Sequence, residues 1–208
     1  MLNFYMTPGS CSTGIHILLE ELELVFSAHL VNLLRGDQNS EEFLAINSKG
    51  TIPVLVLDNG TALTSFSSIA WWLGKTYPKL GLIPEETLQQ TKMMELLNFA
   101  VNQIHGLGFT RIFTPEQYLY DGNNPSAIGL IKQQGEKLLE KNFNWLASQL
   151  DNPYAVGAFS LADAALFYVE FWADRSQIPL PANCQDHYQA MLKRPAVRQV
   201  LAEEGYRL

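Results

Sequence analysis

Cysteine is scarce in this chain: Cys11 and Cys184 are the only two, and they stand far apart. Such usage excludes a disulfide framework and fits a reducing cytoplasm. There is no Cys-x-x-Cys pair. No apolar run reaches the length of a membrane span. Residues 1–5, Met-Leu-Asn-Phe-Tyr, lack the basic and then apolar pattern of a secretory leader. Positive charge is also short, with 14 Lys and Arg against 21 Asp and Glu and a net charge of -7. The basic residues are scattered, so nucleic acid and anionic membrane surfaces, which need a basic face, are poor partners. No internal repeat is present. What the chain does have is apolar mass: 47% of 208 residues are hydrophobic, enough for one large core or two small ones.

The first eighty or so residues alternate in character. Residues 2–5 form a short apolar run closed by Thr7-Pro8-Gly9, which reads as a buried strand and a turn. Ile15, Leu18, Leu19 and Leu22 recur at helical spacing. A second strand falls at 28–33, and a short helix at 40–46 takes Ser40 as its N-cap. Residues 53–57 and 61–63 flank Asp58-Asn59-Gly60 and read as a hairpin. Ser65 opens a helix carrying Ile69, Trp72, Leu73 and Tyr77, which Pro78 stops. The order is βαβαββα, with parallel strands first and an antiparallel hairpin last. Beyond Pro84 no strand is evident. Helical patterns cover 86–113, 125–150 and 161–175, with shorter pieces after Ala182 and Pro195, as in a helical bundle. The boundaries expected are therefore 1–80 for an α/β domain and 85–208 for an all-α domain, joined through the proline-containing stretch 77–84.

Several residues carry chemical potential. Cys11 follows a strand and a turn and precedes a helix, where the positive helix end favours a thiolate. Ser12 and Thr13 add hydroxyls beside it. The bland alternative for Cys11 is a small buried hydrophobe. Ile52-Pro53 precedes a core strand, and a cis bond there would turn the Ile52 main chain toward an extended ligand that docks as an added strand. His16 reads as a satisfied structural histidine, and His105 on the long helix stays open between structure and function. Neither stands in metal-ligand spacing with His29 or His187, so no metal is expected. Cys184 reads as structural. Ser160-Leu161-Ala162-Asp163 reads as a capping box, making Asp163 a folding residue ahead of an apolar run interrupted by Glu170.

Taken together, Tyr5, Pro8-Gly9-Ser10-Cys11-Ser12, His16, Asn47-Ser48-Lys49-Gly50-Thr51-Ile52-Pro53 and Ser160-Leu161-Ala162-Asp163 resemble the bacterial beta-class glutathione transferases over essentially the whole chain. The resemblance implies a thioredoxin-like domain followed by an all-helical domain, a homodimer, glutathione as cosubstrate and a detoxification role toward small hydrophobic electrophiles. It places Cys11 against the glutathione sulfur, Ile52 before a cis-Pro53 on the cysteinyl backbone, Arg35 near the glycyl carboxylate, and His105 reaching the sulfur from the helical domain. Tyr5 and Thr51 fall within the glutathione-binding motifs.

One departure matters. Where the family has a Glu-Ser pair for the γ-glutamyl end, this chain has Ser65 and Phe66. A lost charge-assisted contact costs roughly 1.5–3 kcal/mol, or about tenfold to a hundredfold in affinity, so weakened glutathione binding is expected. Three activities fit. The first is conjugation, with Phe99, Phe109, Phe113 and Trp172 as candidate walls of an acceptor pocket, although core packing is the commoner use of such rings. The second is glutathione-dependent thiol-disulfide exchange through Cys11. The third is a binding protein of the same fold without catalysis.

Overall fold

The computed structural model describes residues 1–120, 124–151 and 153–207. β1 (Leu2–Met6) alternates as its sequence requires, with Leu2, Phe4 and Met6 buried and Asn3 and Tyr5 half-buried. It is followed by α1 (Ser12–Glu21), β2 (Phe26–Leu30), α2 (Glu41–Ile46), β3 (Val54–Val56), β4 (Ala62–Thr64) and α3 (Phe66–Thr76). The sheet order is β2-β1-β3-β4, with β1 and β2 parallel and the other two pairings antiparallel. The βαβαββα order and both strand directions agree with the sequence reading.

The two sheet faces are covered differently. Phe4 and Leu55, paired across β1 and β3, belong to the fully buried set shared with Ile15, Leu18 and Leu19 of α1 and Ile69 and Leu73 of α3. Tyr5 and Val54, paired on the opposite face, pack with Val31 and with Phe43 of α2. Ser40 caps α2 by accepting from the Phe43 amide at 3.2 Å. At the hairpin, Gly60 adopts φ 84° and its amide closes the turn on the Leu57 carbonyl at 2.9 Å, a conformation that favours glycine.

The helices that follow are α4 (Thr87–Phe99), a wider π-helical stretch (Ala100–Phe109), α5 (Thr110–Phe113), α6 (Pro125–Ala147), α7 (Leu161–Arg175), α8 (Ala182–Leu192) and α9 (Pro195–Glu203). The sequence periodicity predicts one helix over 86–113, and the π winding inside it is a difference. Its cause lies in α6: the Asn142 amide donates to the Gln103 carbonyl at 3.1 Å, and Gly108 lets Leu139 approach to where a Cβ would be only 2.4 Å from its Cδ2. A side chain that competes for a helix carbonyl loosens the ordinary ladder.

Two compact units result. One comprises 1–90 with 191–208, the other 91–190. Within the first unit α9 packs on α1. An Arg194–Glu21 ion pair of 2.6 Å helps fix α9 there.

α7 is buried from Leu161 to Ala173. Its capping box forms as read, with Asp163 Oδ2 accepting the Ser160 amide at 2.7 Å and the Ser160 hydroxyl at 2.8 Å. The same carboxyl holds the Ala155 amide through Oδ1 at 2.7 Å. Buried charge on this helix is answered from α8. His187 Nδ1 lies 2.6 Å from Glu170 Oε2, and its Nε2 lies 3.0 Å from Asp163 Oδ1.

Candidate functional site

The loop between β1 and α1 is knitted by its own hydroxyls. The Ser12 hydroxyl donates to the Thr7 carbonyl at 3.0 Å and accepts from the Thr7 amide at 3.1 Å and the Ser10 hydroxyl at 2.6 Å. Ser12 is fully buried. Its hydroxyl shapes the loop. From the other end of the chain, Glu204 Oε2 accepts the Gly9 amide and the Thr13 hydroxyl, each at 2.7 Å. Gly9 has φ 70°, and a Cβ there would stand 1.9 Å from the Tyr206 hydroxyl oxygen. Gly9→Ala is therefore expected to lower stability by more than about 1 kcal/mol, measured by urea unfolding, and to displace Tyr206.

Cys11 sits at the N-cap of α1 and is half-buried. Its thiol donates to the Ile52 carbonyl, with Sγ 3.7 Å from the oxygen. The Ile52-Pro53 bond is cis, and the Ile52 amide has no hydrogen-bond partner among the described residues. The chain before it is held by Asn47, whose side-chain amide donates to the Thr51 carbonyl at 2.7 Å and whose Oδ1 accepts the Lys49 amide at 3.2 Å. Burial opposes the thiolate that the sequence reading favours. Desolvation pushes the Cys11 thiol up to about 12 and outweighs the backbone amides of Cys11 and Ser12, which act in the opposite direction. At neutral pH Cys11 is a thiol.

The other sequence candidates fall as follows. Tyr5 stacks on His29, with ring centres 4.7 Å apart, and meets Phe43 edge-on at 6.0 Å. It packs on the α2 face and is half-buried. Thr51 is exposed, as is Arg35, at the end of a single turn (Leu33–Arg35). Phe66 is 3% exposed, so its side chain belongs to the core, and its amide lies in the first turn of α3. Ser65 is exposed, at the start of α3, with φ 70° and ψ 142°, a conformation costly for any residue but glycine. Its hydroxyl donates to that of Ser68 at 3.2 Å.

In the helical unit, His105 lies in the π-helical stretch. Its ring meets Trp172 edge-on at 4.8 Å, and its Nδ1 lies 3.2 Å from the Tyr168 hydroxyl. Desolvation lowers its pKa to about 4, so the ring is neutral at pH 7. Phe109 and Phe113 stack at 5.4 Å, and each meets Trp172 edge-on at 5.3 Å. Phe99 pairs instead with Trp145 at 4.1 Å. The aromatic residues named in the sequence therefore divide, with His105, Phe109, Phe113 and Trp172 in one cluster and Phe99 outside it.

Sequence reasoning passed over two pairings: Glu204 with the Cys11 loop and His16, and His187 with Glu170. The only signal for the second was a lone Glu in an apolar helix. The first joins residues nearly two hundred positions apart and left no local trace.

A thioredoxin-like sheet in which the carbonyl of the residue before a cis-proline meets a cysteine at a helix start defines a protein of the thioredoxin-fold class. Residues 9–76 match the family described as glutathione S-transferase, N-terminal domain. The chain is 31% identical over 213 residues to glutathione S-transferase GstA of Escherichia coli O157:H7, covering 98% of this chain and 99% of that one. It is 26% identical over 212 residues to disulfide-bond oxidoreductase YfcG of Escherichia coli strain K12, covering 97% and 94%. The crystal structure of a Sulfitobacter glutathione transferase homologue with bound glutathione matches with a TM-score of 0.90 at 26% identity, covering 98% of each chain. The chain belongs to the glutathione S-transferase family. Among the described residues no helix is long and apolar enough to cross a membrane.

Proposed function

We propose that this protein binds glutathione at the Cys11–Ile52 juxtaposition and conjugates it to small hydrophobic electrophiles. The observation that carries this reading is the unpartnered Ile52 amide beside a carbonyl that faces the Cys11 sulfur. An extended peptide can pair with that main chain as an added strand. A cysteinyl residue docked there brings its sulfur to Cys11.

A neutral Cys11 suits conjugation. Its S–H, now resting on a carbonyl, is a donor that can turn to a glutathione thiolate and stabilise it. That thiolate attacks the electrophilic carbon, a C–S bond forms, and the leaving group departs with its electron pair. The thiol proton of glutathione goes to solvent. The first-turn amides of α3 offer the γ-glutamyl carboxylate a positive helix end. Arg35, exposed at the end of its turn, is the basic candidate for the glycyl end. A homodimer in a reducing cytoplasm belongs to the same proposal, and light scattering should then give twice the 23.4 kDa chain mass.

Ser65 and Phe66 leave the γ-glutamyl ammonium without a carboxylate. Ser65→Glu is expected to tighten glutathione about tenfold, measured by calorimetry. Ser65 already holds a positive φ, so a second non-glycine residue adds no new backbone strain.

The test is a glutathione-dependent rate with a chloronitroaromatic, run beside glutathione-dependent reduction of a small disulfide. The likeness to a disulfide-bond oxidoreductase and the presence of a cysteine at position 11 favour thiol-disulfide exchange as a second reading. The raised Cys11 thiol counts against it at neutral pH, because the thiolate is the nucleophile. Disulfide reduction without conjugation would select that reading. Binding without either rate would leave a non-catalytic glutathione-binding protein.

A further inference from the structure

Conjugation as proposed uses neither His16 nor the acidic end of α9, yet these meet on the wall of a surface cavity of about 380 Å³. His16 is buried, at 4% exposure. Its Nδ1 lies 2.9 Å from Glu204 Oε1. Glu204 is itself buried, and its other oxygen already accepts from Gly9 and Thr13. A carboxylate in that setting accepts, so Nδ1 carries the proton. The other ring nitrogen, Nε2, points at Glu203 Oε2 from 3.2 Å. Either a proton on Nε2 or a metal ion can bridge that pair.

Glu20, one turn beyond His16 on α1, supplies a second carboxylate. Ligand atoms of His16, Glu20 and Glu203 all lie within 4.8 Å of one another. Gln199, one turn before Glu203 on α9, steadies both acids: its amide donates to Glu20 Oε2 at 2.9 Å and to Glu203 Oε1 at 3.0 Å. One oxygen of each carboxylate is held this way, and Glu203 Oε2 is left facing the imidazole.

We propose that His16, Glu20 and Glu203 form a binding site for a divalent transition-metal ion, with Zn²⁺ the best chemical fit. One imidazole nitrogen with two carboxylate oxygens suits zinc, whereas calcium and magnesium take oxygen ligands. Tetrahedral donors with bonds of about 2.1 Å stand about 3.4 Å apart, close to the 3.2 Å of the His16–Glu203 pair. Glu20 is half-exposed and Glu203 exposed, so both side chains can swing in to close the remaining gap. A fourth position opens toward the cavity for water. Glu204 fixes the histidine tautomer in the carboxylate–histidine–metal pattern, and Gln199 orients the acids. Because Glu204 also holds the Gly9 amide, a metal here ties α1, α9 and the Cys11 loop together. The site is independent of the glutathione reading.

The test is calorimetric titration of zinc chloride into the full chain carrying Cys11→Ser, which removes the loop thiol as a competing ligand. The expected result is one zinc per chain, bound at least about tenfold more weakly after Glu203→Gln or Glu20→Gln. Both positions reach the surface, so either amide variant keeps the fold. Zinc should raise the thermal midpoint of the parent and not of the variants. Absence of saturable one-to-one binding at millimolar zinc would overturn the proposal. So would equal affinity in parent and both variants, which would make His16 an imidazolium held by glutamates alone.

Discussion

His187→Leu is expected to destabilise the helical unit by about 3–5 kcal/mol, the usual cost of removing one partner of a buried ion pair. His187 is fully buried between Glu170 and Asp163. Desolvation works against its charge, but the Glu170 charge and the hydrogen bonds to Asp163 and Glu170 win and hold its pKa up at about 10. Without it, Glu170 would remain in the apolar interior with no counter-charge. Its Oε1 already has no hydrogen-bond partner. Asp163 would lose less, since the Ser160 and Ala155 amides still satisfy it. The double variant His187→Leu with Glu170→Met should therefore recover much of the loss, because apolar groups of similar volume often replace a buried pair without cost. Urea unfolding of the four proteins in the cycle gives the coupling directly.

The same pair sets a pH dependence. The folded chain keeps a proton on His187 that the unfolded chain releases above its ordinary pKa of 6.5. The stability this contributes is complete below pH 6.5 and is lost as the pH rises toward about 10. The Glu170 carboxyl is raised by burial and so acts in the same direction. The thermal midpoint should fall across that alkaline window.

Cys11→Ala is expected to slow glutathione conjugation by about tenfold to a hundredfold, the worth of roughly 1.5–3 kcal/mol for a hydrogen bond to a charged group. Cys11→Ser, which keeps a donor, should stay within a few-fold of the parent. If Cys11 acted instead as the nucleophile of disulfide exchange, alanine and serine would both abolish the reaction, so the serine variant separates the two chemistries. The raised thiol makes the distinction sharp. A group that stays protonated at neutral pH can donate a hydrogen bond, and cannot serve readily as a nucleophile.

Local pattern carried most of the fold. Alternation in β1, the Asn59-Gly60 turn, the Ser40 cap and the Ser160–Asp163 box are short-range features, and each formed where its residues stand. The features that escaped are long-range or energetic. Asn142 reaching Gln103 turned an ordinary helix into a π stretch, and periodicity holds no record of a partner on another helix. α9 joined the first unit because Glu204 meets Gly9, Thr13 and His16. The helix-start position of Cys11 was legible, and its protonation state was not. Dipole and amides were visible in the order strand, turn, cysteine, helix, whereas the opposing desolvation depends on everything packed around the sulfur. Phe66 was legible as a departure from the family pattern, and burial shows what it does instead: it fills the core beneath the start of α3.

Crystallography with glutathione tests the glutathione-site reading most directly. The cysteinyl amide and carbonyl of the ligand should pair with the Ile52 main chain, and its sulfur should lie beside Cys11 Sγ, now turned from the Ile52 carbonyl. Glutathione seated elsewhere on the protein, or bound with the Ile52 amide still unpaired, would contradict it.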